Sequence, residues 1–187
     1  MYYEHVEHSF FTYPDWYKFV YNYLKDGDTF VEIGTWTGAS SLFFAELIKG
    51  GKKKIDFYTI DTFEGSEEHN DWDIIKDGRL YEYYMSVREP LKDYIKVIKG
   101  DSHSKEIADK FANESLDAIF IDGDHSHAGV KKDLDVWFPK IKTGSLMSGH
   151  DYIWGGHGVK PVVDFFSGFK VIPFWQGDVW YYYKQKI

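Results

Sequence analysis

The chain has 187 residues, a formal net charge of −8 and no cysteine. That length is enough for one domain with a proper core, and 43 % apolar with 28 % charged residues is ordinary globular composition. The acid excess argues against a nucleic-acid substrate, because nucleic-acid binders present basic patches. The missing cysteines exclude disulfides, thiolate metal sites and thiol nucleophiles.

The first 27 residues read as an N-terminal helical segment that packs on the domain, because Trp16, Phe19, Val20, Tyr23 and Leu24 recur at helical spacing after Pro14. Strands and helices then alternate. A first strand is predicted at 29–33, followed by Gly34, Gly38 and an apolar helix over 40–49. A second strand at 55–60 ends in Asp61. Helical periodicity over 71–87 is interrupted by Gly78. A third strand at 95–98 ends in Lys99-Gly100-Asp101 and leads to a helix over 104–111. A fourth strand at 116–121 ends in Asp122, and a helix over 128–137 stops before Pro139, with Asp124 as its expected cap. A fifth strand at 145–148 ends in Gly149-His150-Asp151. A helix over 159–166 leads to two late strands, 169–172 and 179–183. The short connection holding Gly177 and Asp178 makes those two an antiparallel hairpin.

This order predicts an α/β fold: a Rossmann-like, doubly wound, mostly parallel sheet of seven strands with helices on both faces. In such sheets ligands bind outside the carboxyl ends of the strands. All five early strands carry an acid at or just past that end: Glu32, Asp61, Asp101, Asp122 and Asp151. Five acids on one edge would repel unless cations or hydroxyl-rich ligands lie between them. The glycine loop narrows the ligand. A dinucleotide fingerprint is Gly-x-Gly-x-x-Gly, whereas here Trp36 replaces the middle glycine and Glu32 precedes the first. A pyrophosphate would meet Glu32 as a like charge, and a cationic amino-acid head group would not. The pattern favours S-adenosylmethionine (SAM) over NAD.

The segments Val31-Glu-Ile-Gly-Thr-Trp-Thr-Gly-Ala-Ser40, Phe120-Ile-Asp-Gly-Asp-His-Ser-His127 and Ser148-Gly-His-Asp-Tyr152 resemble class I SAM-dependent methyltransferases. They are most similar to the small metal-dependent O-methyltransferases of the catechol, macrocin and cephalosporin-hydroxylase-like types. The resemblance implies a seven-stranded sheet with a reversed last strand. It implies that SAM borders Glu32, Gly34, Thr35, Trp36, Gly38 and Ser40 at its methionine end. Asp61 and Thr62 would lie at the ribose hydroxyls, Asp101 and Ser102 at the adenine amine, and Asp122 beside the cofactor. It implies a divalent metal on Asp122, His150 and Asp151, and His125 as general base.

Methyl transfer from a sulfonium needs the acceptor positioned and deprotonated. A divalent ion lowers the pKa of a bound hydroxyl, and imidazole titrates near neutral pH. Oxygen ligands suit Mg²⁺, and an imidazole shifts preference toward Mn²⁺ or Fe²⁺. The expected function is therefore metal-assisted O-methylation of a small-molecule hydroxyl, on a sugar or sugar-bearing or phenolic product. Trp72, Tyr81, Tyr83, Tyr84, Trp154 and Trp175 are candidate walls for the acceptor. A non-haem-iron hydroxylase, an NAD oxidoreductase and a non-catalytic SAM-binding module are the rivals. No basic-then-apolar leader and no run of roughly 18 apolar residues is visible. The expectation is a cytoplasmic protein without a membrane or nucleic-acid partner, for which a homodimer is one allowed assembly.

Overall fold

The computed structural model describes residues 1–66, 69–153, 158–168, 170–176 and 178–185. Seven strands form one sheet: β1 (Thr29–Ile33), β2 (Asp56–Asp61), β3 (Lys96–Lys99), β4 (Leu116–Ile121), β5 (Ile141–Gly149), β6 (Ile172–Pro173) and β7 (Trp180–Tyr183). Their order is β3-β2-β1-β4-β5-β7-β6. The first five run parallel, and β7 is antiparallel to both β5 and β6. The late strands do form the expected hairpin, with β6 shorter and later than the predicted 169–172. Residues 169 and 177 lie outside the described residues.

Among the described residues, seven α-helices accompany the strands: α1 (Pro14–Tyr23), α2 (Ala39–Gly50), α3 (Asp73–Lys76), α4 (Leu80–Arg88), α5 (Lys105–Ala108), α6 (His127–Trp137) and α7 (Val159–Ser167). Pro14 opens α1, where a missing N–H is harmless. The helix expected over 71–87 is two helices. Gly78 takes a left-handed φ of 64°, Gly78 N donates to Ile75 O and Arg79 N donates to Ile74 O, a Schellman stop that ends α3. The cap of α6 is Ser126 rather than Asp124: Ser126 Oγ accepts from Gly129 N at 3.0 Å, and Asp124 instead accepts from Ser126 N.

Strand alternation sorts the core to the two faces. Phe30, Phe57, Phe120 and Leu146 pack with Trp16, Tyr17 and Val20 of α1 and Leu42 and Phe44 of α2. Val31, Ile60, Ile119 and Met147 pack on the other side with Val130, Leu134 and Trp137 of α6 and Val162 and Val163 of α7. Helices therefore cover both faces.

The carboxyl ends of the parallel strands are level because the ladder continues one residue past each. Gly34 N donates to Ile60 O (3.0 Å), Asp122 N to Ile33 O (2.8 Å), His150 N to Ile121 O (3.1 Å) and Gly100 N to Asp61 O (2.8 Å). Gly34 has φ 82°, and a Cβ there would lie 1.8 Å from the Asp122 carbonyl oxygen. Gly34→Ala is expected to lose more than about 2 kcal/mol, combining left-handed strain with a backbone clash that cannot relax. Gly78→Ala, also left-handed but with nothing within 4 Å, is expected to lose only about 1 kcal/mol. Equal losses in denaturant melts would contradict the close-approach account.

Candidate active site

The acids of the strand ends do not form one cluster. Glu32 shares a sheet face with Phe30 and points beneath the glycine loop, toward α1 and α2. It is fully buried. Tyr17 Oη donates to its Oε1 at 2.6 Å, and Ser41 Oγ donates to its Oε2. Burial pushes its carboxyl up to about 7 from an ordinary 4.5, against the hydrogen bonds of Ser41, Tyr17 and Ser40. The Tyr17 hydroxyl is raised well above its usual value by burial and by Glu32.

Asp61 closes the glycine loop from β2. Its Oδ2 accepts from Thr35 N (2.6 Å) and Trp36 N (2.9 Å), and its Oδ1 from Phe63 N (2.7 Å). Burial raises its pKa against those three bonds. A carboxylate offers about four acceptor directions, so one remains for a ribose hydroxyl where the sequence reading assigned two. Thr62 Oγ1 accepts from Glu64 N. Ser40 lies at the start of α2, against Glu32. Trp36 takes φ 50°, donates from Nε1 to His8 O at 2.8 Å and stacks on His69 with centroids 4.2 Å apart. The hydroxyls of Thr35 and Thr37 are buried without a hydrogen-bond partner among the described residues. Two unanswered hydroxyls in a glycine loop suit a polar ligand such as the amino-acid end of SAM.

At the end of β3, Asp101 accepts from His103 N at 2.8 Å. Ser102 Oγ donates to Asp133 Oδ1 at 2.7 Å, and His103 Nε2 lies 3.3 Å from the same oxygen. Asp133, buried on α6, thus fixes the loop assigned to adenine. Its bond is the first cause of the raised His103 pKa.

The tightest convergence lies between β4 and β5. Asp122 Oδ1, His125 Nε2 and Asp151 form a set whose ligand atoms lie within 4.8 Å of one another. His125 Nε2 is 3.4 Å from Asp122 Oδ1 and 3.1 Å from Asp151 Oδ2. His150 Nδ1 stands beside them, 3.6 Å from Asp122 and 3.3 Å from Asp151. Burial pushes the Asp122 carboxyl up, but His150 and His125 outweigh it and hold it below its ordinary value. Burial pulls His150 down, and Asp122 and Asp151 outweigh it and raise it. Ligands around one ion at 2.0–2.5 Å lie no more than about 5 Å apart, so the donor set fits a divalent cation. The histidine completing that set is His125, where the sequence reading assigned His150.

Tyr13 was missed by the sequence reading. Its hydroxyl donates to Asp122 Oδ2 at 2.7 Å, and its ring lies 4.5 Å from that of His150. Only its place immediately before Pro14 signals it, because its partner is 109 residues away. Of the acceptor aromatics, Tyr84 is buried and pairs with Thr59, and Tyr81 packs on Phe63. Trp72 and Tyr83 line a cleft of about 510 Å³ with His8 and Arg79. Trp175 is exposed, and Trp154 lies outside the described residues.

Residues 31–152 match the methyltransferase domain family. The chain belongs to that family. It carries a methyltransferase domain of the class I SAM-dependent type, and its sheet order and reversed β7 are those of the Rossmann-like methyltransferase fold. The uncharacterized protein R132 of Acanthamoeba polyphaga mimivirus is 28 % identical over 130 residues, 68 % of this chain and 53 % of that protein. The chain spans about half or less of the curated relatives it matches. Among solved structures, the calicheamicin methyltransferase CalS11 aligns with TM-score 0.64 at 14 % identity, covering 91 % of this chain and 76 % of that one. The O-methyltransferase NovP aligns with TM-score 0.59 at 16 % identity, covering 92 % and 78 %. Among the described residues, no helix is long and apolar enough to cross a membrane.

Glu32 makes the site pH-sensitive. A carboxyl raised in the folded state binds its proton more tightly there, so its contribution is most favourable below about 4.5 and is lost as pH rises through about 7. Glu32→Gln, neutral throughout, is expected to gain stability over the parent between about pH 5 and 8. The gain is on the order of 3 kcal/mol. Denaturant melts at both ends test it, and a pH-independent difference would contradict the burial account.

Proposed function

We propose that this methyltransferase is a metal-assisted O-methyltransferase acting on a small-molecule hydroxyl, on a sugar or a sugar-bearing or phenolic product. The observation that supports the reading most is the convergence of Asp122, His125 and Asp151 beside the glycine loop. Asp122, His125 and Asp151 would hold a divalent cation such as Mg²⁺ or Mn²⁺. When bound, such an ion lowers the pKa of a hydroxyl and fixes its place.

The chain's own residues supply the rest. The loop from Gly34 to Gly38, with Glu32 and Ser40 beneath it, receives the methionine end of SAM. Asp61 and Thr62 face the ribose, and Asp101 and Ser102 the adenine. Asp122 sits where the cofactor and acceptor sides meet, because Gly34 passes against its carbonyl. Tyr13 fixes the Asp122 carboxylate from the far side. An in-line displacement needs this kind of orientation more than it needs a strong base. The acceptor class draws support from CalS11, described as a TDP-rhamnose 3'-O-methyltransferase.

A second reading keeps His125 as general base. It is favoured by exposure: the His125 side chain is 29 % exposed, against 16 % for His150 and 16 % for Asp151. His125→Ala separates the two. The ligand role predicts that Mn²⁺ affinity falls at least about tenfold. The base role predicts unchanged Mn²⁺ affinity with turnover down by about 10²–10⁴. Asp122→Asn is expected to abolish metal-stimulated turnover on a sugar or phenol panel while S-adenosylhomocysteine still binds. Full activity of Asp122→Asn without metal would overturn the metal reading.

A further inference from the structure

The connection between β6 and β7 holds the end of β5 from outside. Both carboxylate oxygens of Asp178 accept from Ile153 N, at 2.9 and 2.8 Å. The Asp178 carbonyl accepts from Tyr152 N at 3.1 Å. Two residues on, Trp180 Nε1 donates to His150 O at 3.1 Å. Asp151 is therefore bracketed: the peptide before it is tied to Trp180 and the two amides after it to Asp178. Asp151 itself is left-handed, with φ 57°. A non-glycine residue holds that conformation only where its surroundings impose it. The turn aims its Oδ2 at His125 Nε2, 3.1 Å away.

We propose that Asp178 is a positioning residue for the cation site: it fixes the left-handed turn that presents the Asp151 carboxylate to Asp122 and His125. The inference rests on the metal reading above. It assigns to the β6–β7 connection a role beyond joining two strands. Groups that orient a metal ligand typically alter metal affinity about 10- to 100-fold when removed.

The experiment is a Mn²⁺ titration of the protein without acceptor, followed by the loss of the free Mn²⁺ electron paramagnetic resonance signal. S-adenosylhomocysteine affinity and melting temperature are measured alongside. Asp178 is itself left-handed, with φ 55°. Asp178→Gly therefore removes the carboxylate without adding backbone strain, and Asp178→Asn keeps both an acceptor oxygen and tolerance of that φ. Asp178→Gly is expected to weaken Mn²⁺ binding about 10- to 100-fold, with S-adenosylhomocysteine affinity changed less than about twofold. Asp178→Asn is expected to restore most of the loss. Should Asp178→Gly fail to fold, Trp180→Phe removes the donor to His150 O together with part of a buried ring and is expected to shift Mn²⁺ affinity in the same direction by a smaller factor. Unchanged Mn²⁺ affinity in Asp178→Gly, or in Trp180→Phe if that variant stands in, overturns the positioning role alone. A parallel fall in Mn²⁺ and S-adenosylhomocysteine affinities also overturns it, since that marks general loosening. A parent protein that binds no Mn²⁺ overturns the metal reading and this role with it.

Discussion

The structure depends on one close approach: Gly34 lying against the carbonyl of Asp122. Any side chain at position 34 would occupy that carbonyl's space. Because the approach is allowed, Asp122 N can donate to Ile33 O and Gly34 N to Ile60 O. Three strand ends are thereby locked level. The glycine loop then crosses directly against Asp122, the first acid of the β4–β5 pair of Asp122 and Asp151. Cofactor loop and cation site are neighbours because a single position carries no Cβ.

The second constraint is electrostatic. A sheet edge with several acids must answer each one separately. Glu32 is answered by Tyr17 and Ser41, Asp61 by three loop amides, and Asp122 by Tyr13 and two histidines. Two of the answering groups, Tyr13 and Tyr17, come from the start of α1. That helical segment is consequently part of the site as well as a cover for the sheet. Its own start is tied down in turn, because Asp15 N donates to Gln176 Oε1 in the β6–β7 connection.

Much of this was legible in the sequence. Apolar strands ending in Glu32, Asp61 and Asp122 gave the parallel sheet, and the Gly177-Asp178 connection gave the hairpin. The acids after β4 and β5 meet as their positions in the alternation require. What escaped was set by contacts between distant residues. Tyr13 reaches Asp122 across 109 positions, and no local pattern announces that. That His125 joins Asp122 and Asp151 in the convergent set depends on side-chain directions past the ends of β4 and β5 that sequence spacing does not announce. Asp124 lost the capping role to Ser126 because the loop runs two residues further before the helix begins. The ribose acid is more committed than its place at a strand end suggests, since two glycine-loop amides and Phe63 N consume three of its acceptor directions.

The most direct test of the account is calorimetric titration with S-adenosylhomocysteine, with and without Mn²⁺ and with NAD⁺ as the comparison ligand. The account predicts one site per chain with micromolar affinity for S-adenosylhomocysteine in the absence of metal, and no heat from NAD⁺. Failure to bind S-adenosylhomocysteine, or preferential binding of NAD⁺, would contradict it: the glycine loop and its acids would then serve a different ligand.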